Sequence, residues 1–186
     1  PMGCDDAVHI DDAGAPERDP WQIASMIAGF AAGRGFDLIF TGMQSEDRSS
    51  AQVGLLVAER LGLVCVTGIT AFEWRDGSMT VERELEGGRK CRLRLKPPAL
   101  LTCQPGLNTP RYPTLPNIMK SKRAALTVLS PDSVGLESPR VSSENFRPHE
   151  HNTAGMILEG DAETLASQVV SILEAKGVIS SKGGAR

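Results

Sequence analysis

Cysteine is scarce in this chain of 186 residues. The four present, Cys4, Cys65, Cys91 and Cys103, lack the CxxC spacing of a zinc or dithiol site. Cys65 and Cys103 sit in apolar runs and read as reduced core residues. That points to a reducing compartment, the cytoplasm before the mitochondrial matrix. Aromatic residues make up only 4%, with Tyr112 as the single tyrosine, so the chain has little with which to stack on nucleic-acid bases. The basic run Lys120, Lys122 and Arg123 is therefore read as a solvated or partner-facing surface. No stretch approaches the ~18 consecutive apolar residues of a membrane span. Neither sign of charge prevails: the formal net charge is −3, which gives no bulk attraction to polyanions. Also missing are a P-loop, a nucleophile elbow and any placeable pair of carboxylates, so nothing in the sequence supports catalysis.

What remains is the pattern of an α/β protein. Asp19-Pro20 opens a helix, with Asp19 as cap and Pro20 where its missing N–H costs nothing. Ile23, Met26, Ile27, Phe30 and Ala31 follow at helical spacing, and Gly35 is the expected stop. Leu38-Ile39-Phe40-Thr41 lacks alternation and predicts a strand buried on both faces. A polar loop leads to a second helix whose apolar stripe is Leu55 to Ala58 and Leu61; Ser49 and Gln52 have capping-box spacing. Val64-Cys65-Val66 is the next strand, and this alternation predicts a parallel sheet. Thr70–Trp74 and Met79–Glu84 then form a hairpin across Asp76-Gly77, and Cys91–Leu95 alternates with period two. The apolar run Ala99–Cys103 returns to the main sheet, closing a small antiparallel excursion. Residues 130 to 155 are rich in Pro, Ser and Glu and read as an extended connection to a last helix capped by Asp161 and stopped at Gly177.

The segment with most chemical promise is the loop from Gly42 into the second helix. Open α/β sheets bind ligands at the carboxyl ends of their strands, and a helix start offers unpaired N–H groups to an anion. Gly42, Met43, Gln44, Asp47 and Ser50 belong to this loop, and the amides of Ala51, Gln52 and Val53 are the candidate phosphate donors. The competing reading is an ordinary connection in which Ser49 and Gln52 satisfy the helix themselves. His149-Glu150-His151 lacks a third metal ligand nearby and reads as solvated loop. Met119-Lys120-Ser121-Lys122 is like the synthetase signature that clamps ATP, but its His-containing partner motif is missing.

Four strings occur in an order typical of one family: Asp37-Leu-Ile-Phe-Thr-Gly-Met-Gln-Ser-Glu-Asp47, Ala51-Gln-Val-Gly54, Val81-Glu-Arg-Glu-Leu-Glu-Gly-Gly88 and Pro110-Arg-Tyr-Pro-Thr-Leu-Pro-Asn-Ile-Met-Lys120. Together they resemble electron-transfer flavoprotein β subunits, from about Gly3 to Leu129 and loosely in the last helix. The resemblance implies an adenine-nucleotide-hydrolase-like, Rossmann-like core and a heterodimer with an α subunit that carries FAD. It implies electron delivery from acyl-CoA or related dehydrogenases to a quinone reductase or another acceptor. It also implies AMP or FAD in this subunit at Gly42 to Val53, dehydrogenase docking through Leu115 with Arg111, Tyr112 and Lys120, and contact of Glu84 with the mobile flavin domain of the α subunit. AMP-binding members carry Asn-Gln-Thr-Gly where this chain has Ala51-Gln52-Val53-Gly54. The latter is similar to electron-bifurcating members with FAD there, yet Glu46-Asp47-Arg48-Ser49 lacks their Gly-Asp-Thr, so both nucleotides stay open.

The resemblance further implies that the family's opening βα units are absent from this sequence, and an incomplete chain is the expectation. Its domain organisation is expected to be a nucleotide-binding α/β domain over 1–129 and an extended arm with its helix over 130–186, the arm contacting the α subunit. Two other functional classes compete. A stand-alone adenine-nucleotide-binding module of universal-stress type needs the same loop but no Pro110–Lys120 string. A nucleotidyl-transferring enzyme needs a pyrophosphate loop or synthetase motifs, and neither is found.

Overall fold

The structure, a computed structural model, describes residues 2–145, 147 and 155–179. They fall into two compact units, Pro1–Ser143 and Glu144–Arg186. In the first, β1 (Val8–Ile10) precedes α1 (Pro20–Ala31), β2 (Leu38–Gly42), α2 (Val53–Leu61), β3 (Val64–Arg75), β4 (Ser78–Glu84), β5 (Lys90–Leu95), β6 (Ala99–Cys103), α3 (Leu115–Ser121) and β7 (Thr127–Leu129). The second holds α4 (Ala162–Ala175), which starts where the Asp161 carboxylate accepts the Thr164 N–H.

The main sheet has the order β2-β6-β3-β4-β5, parallel across β2, β6 and the first half of β3, and antiparallel from there outward. This is the α/β architecture with an antiparallel excursion that the sequence predicts. β6 explains why the excursion returns: Ala99, Leu100, Leu101 and Thr102 are all buried, so this strand needs neighbours on both edges and cover on both faces. On one face Leu100 packs with Ala24 of α1 and with Val57 and Ala58 of α2. On the other, Ala99 and Leu101 join Val66, Ile69, Met79 and Val81. A Leu buried this completely is worth roughly 1.5–3 kcal/mol relative to exposure. The hairpin turns at Asp76 (φ 49°) and Gly77 (φ 70°), the left-handed pair that matches strand twist. Away from the core, β3, β4 and β5 carry an ion-pair ladder in which Arg92 reaches Glu73 and Glu82, and Lys90 reaches Glu82. A separate two-stranded sheet pairs β1 with β7 in parallel.

Three features depart from the sequence reading. β2 is not buried on both faces: among the described residues it is an edge strand, with Phe40 about half exposed and set edge-on to Phe72 of β3. The two predicted strands Val64–Val66 and Thr70–Trp74 are one long strand, bent at register shifts around Ile69, so one strand serves both the parallel and the antiparallel parts. Helix α1 ends at Ala31, four residues before the expected Gly35 stop.

The first unit continues past Leu129 to Ser143 because that segment docks on α1. The Trp21 indole N–H donates to Glu137 Oε2 at 2.8 Å, the Gln22 amide to the Glu137 carbonyl at 3.0 Å, and the Arg140 and Val141 N–H groups to Asp19 at 2.5 and 2.9 Å. Arg60 of α2 pairs with Glu137, and it and Arg140 lie over the Trp21 ring. Burial pushes the Cys65 and Cys103 thiols up, keeping them neutral, and both cysteines are free. His149, Glu150 and His151 lie outside the described residues.

Candidate functional site

The loop after β2 is tied to the sheet at its start, where the Met43 N–H donates to the Cys103 carbonyl at 3.1 Å. It then folds on itself. The Ser45 carbonyl accepts both the Ser49 N–H at 3.0 Å and the Ser49 hydroxyl at 3.2 Å. The Ser45 hydroxyl and the Arg48 N–H hold the Asp47 carboxyl below the usual range, so Asp47 is an ionised brace of its own loop. The Arg48 guanidinium donates to the carbonyls of Arg18 and Pro16, which fastens the loop to the approach to α1.

These bonds overturn the predicted capping box. Ser49 spends its hydroxyl on Ser45, and its φ of +47° removes it from a capping conformation. Helix α2 begins only at Val53; its first flanking residue is Gln52, whose side chain makes no capping bond. The N–H groups of Ala51, Gln52 and Val53 donate to nothing among the described residues. The other helices are closed by their own side chains: α1 by Asp19 with Gln22, α3 by Thr114 and α4 by Asp161. Ala51 also has φ +52°, so two non-glycine residues bracketing Ser50 hold left-handed backbone. Such strain concentrates where backbone is shaped for a ligand, and left-handed residues running into helical ones make concave rows of N–H donors that suit anions.

Gly54 places this helix start. A Cβ there would lie 2.6 Å from Thr41 Oγ1 and 3.0 Å from Thr102 Cγ2. Its absence lets α2 descend onto the carboxyl ends of β2 and β6, the ligand-binding edge of such sheets. Beside it opens a cavity of about 270 Å³ lined by Met43, Ala51, Leu55, Thr67, Gly68, Arg83, Glu84, Thr102 and Gln104. The structure thus brings Met43, Ala51 and Glu84 to one cavity. It does not bring the others there: Gln44, Asp47 and Gln52 are exposed, Ser50 and Val53 are half-buried, and Gly42 lines another cavity. Arg83 was missed as a site residue. Its signal is a charge in the inward series Met79, Val81, Arg83 of an alternating strand.

The predicted docking residues lie elsewhere in the unit. Leu115, the first residue of α3, is 71% exposed, Tyr112 is 96% exposed and Met119 about half exposed, and Arg111 and Lys120 are exposed as well. Part of the Pro110–Lys120 string is helical, started by Thr114 and by Pro116 in the first turn.

The electron transfer flavoprotein domain model matches residues 1–134, which span the loop, the cavity and the α3 segment. The chain belongs to the electron-transfer flavoprotein β-subunit family. It is 36% identical over 186 residues to electron transfer flavoprotein subunit beta of Bacillus subtilis, covering 96% of this chain and 71% of that protein. The human subunit of the same name is 33% identical over 168 residues, covering 89% of this chain and 66% of its own length. Subunit CarD of the caffeyl-CoA reductase-Etf complex of Acetobacterium woodii is 32% identical over 187 residues, covering 96% and 71%. The chain thus spans about two thirds of its flavoprotein relatives. None of the described helices is long and apolar enough to cross a membrane.

Proposed function

We propose that this chain is the electron-carrier β subunit of a flavoprotein heterodimer: it holds AMP or FAD at the start of α2, and docks dehydrogenases through Leu115. The flavin on the α subunit supplies the redox chemistry. This chain's residues bind, orient and dock. The unpaired amides of Ala51, Gln52 and Val53 take a phosphate of the nucleotide, and Gly42, Met43, Gln44 and Ser50 shape the rest of its seat, with Asp47 bracing the loop. Glu84, exposed at the rim of the cavity, faces the flavin domain of the α subunit. α4 buries none of its own residues, and its half-exposed Val169 and Val170 form the α-subunit contact of the C-terminal arm. The compartment is the cytoplasm or the mitochondrial matrix, and the partners are acyl-CoA or related dehydrogenases and a quinone reductase or similar acceptor. FAD in this subunit, within an enzyme complex, is the second reading; Ala51 and Val53 in place of Asn and Thr favour it.

The observation that carries the electron-carrier reading over a stand-alone nucleotide-binding module is the exposed Leu115. It sits between Pro113 and Pro116, which restrict the backbone and reduce the entropy lost on docking. A Leu in this chain's own core would lose roughly 2–5 kcal/mol of stability on truncation. At 71% exposure, Leu115→Ala leaves the melting temperature of the heterodimer nearly unchanged. Docking predicts that the same change weakens dehydrogenase-coupled flavin reduction about severalfold or more, apparent affinity falling first. Melting and coupled reduction, measured side by side, decide it. A large drop in melting temperature with unaltered affinity for the dehydrogenase refutes the docking role.

A further inference from the structure

The cavity beside α2 has a second wall, contributed by β4. Strand alternation puts Met79, Val81 and Arg83 on one face, and the first two are completely buried in the core. Arg83 stands where that face reaches the carboxyl ends of the parallel strands: it pairs with Ile69 of β3, which in turn pairs with Cys103 at the end of β6. Its Nε is shut off from solvent and has no hydrogen-bond partner. The guanidinium makes no ion pair among the described residues, although the neighbouring Lys90 and Arg92 are taken up by Glu82 and Glu73; Arg94 donates to the neutral Ser78 hydroxyl.

An arginine keeps its charge at any physiological pH, and a buried donor left unmade is costly. No carboxylate among the described residues supplies its counter-charge. The space that Arg83 lines is shared with Met43 and Ala51 of the phosphate loop, so an anion seated at the start of α2 lies beside it. A phosphate oxygen offers the strong acceptor that a guanidinium fork matches. We propose that Arg83 pairs with a phosphate of the nucleotide bound at α2, an inference that rests on the nucleotide-site reading. Arg83 is then the side-chain cation of a site whose other donors are backbone amides. A carboxylate from a partner protein would instead have to project into this cavity of about 270 Å³.

The test uses the heterodimer stripped of nucleotide and two probes, AMP and adenosine, by equilibrium dialysis. Arg83→Gln is expected to lower AMP affinity about tenfold or more while adenosine stays within about twofold, because only AMP carries the phosphate. Arg83→Lys keeps the charge but loses the fork, and should recover part of the AMP affinity even if the Gln variant folds poorly. Equal losses for both probes would overturn the pairing and assign Arg83 a packing role. Unchanged AMP affinity with weaker α-subunit binding would overturn it in favour of a partner carboxylate. An unaltered variant would overturn it outright. A wild-type heterodimer that binds neither probe would remove the nucleotide site itself, and this inference with it.

Discussion

Helices α1 and α2 pack on the same face of the sheet, yet their N-termini are finished in opposite ways. At α1 the Asp19 carboxylate accepts the N–H of Gln22, the Gln22 side chain accepts the N–H of Asp19, and the remaining carboxylate oxygen accepts the Arg140 and Val141 N–H groups. Every element of that junction is supplied by the chain, so it is a joint. At α2 the nearby hydroxyl is turned back to Ser45, Gln52 caps nothing, and left-handed residues expose a row of amides beside a cavity. Closing a helix start with one side chain is worth about 1 kcal/mol. The fold takes this stabilisation at α1 and forgoes it at α2, and the proposed nucleotide site rests on that contrast.

The largest expected effect breaks the open end. Val53→Asp puts a carboxylate at the first turn of α2, where it caps or crowds the free amides and repels phosphate, so nucleotide retention in the purified heterodimer should be abolished. Chromatography of the acid-extracted protein reads it directly; full retention means that the amides of α2 do not hold the phosphate. The next effect breaks the closed end. Asp19→Ala removes acceptors from Gln22, Arg140 and Val141 and should cost about 1–3 kcal/mol in denaturant unfolding while leaving nucleotide content unchanged. Equal loss of nucleotide would show that the two ends are not independent.

The smallest effect is a change of shape with pH. Burial raises the Asp19 pKa, but the N–H groups of Gln22, Arg140 and Val141 outweigh it and the net shift is downward. Its stabilising contribution is therefore complete above the unfolded pKa of about 4 and is lost as pH falls through the lower folded value. Asp19→Asn should flatten that acid limb of stability without altering the neutral-pH nucleotide content. An unchanged acid limb would remove Asp19 from the account.

The same contrast explains what was legible in the sequence. Asp19-Pro20, Asp161 and Asp76-Gly77 are local signals whose partners lie within a few residues, and each forms as read. Ser49 and Gln52 have the same local spacing and fail, because Ser45 competes for Ser49 and the backbone turns left-handed. The apolar run of β2 reads as doubly buried, but edge position is a property of pairing, which composition does not encode. The cavity was out of reach for the same reason: Arg83 meets Met43 and Ala51 only after β4 is laid beside β3. The exposure of Leu115 is likewise a tertiary fact, which the string around it does not encode.

Nucleotide content tests the central claim most directly. The heterodimer, purified without added nucleotide, is extracted with acid and its adenine nucleotides are quantified against protein. The account predicts one adenine nucleotide per heterodimer beyond the α-subunit FAD: AMP if this subunit resembles the AMP-binding members, or a second FAD if it resembles the bifurcating ones. A heterodimer with its α-subunit FAD and no further adenine nucleotide, which also fails to take up AMP or FAD when these are supplied, would contradict it.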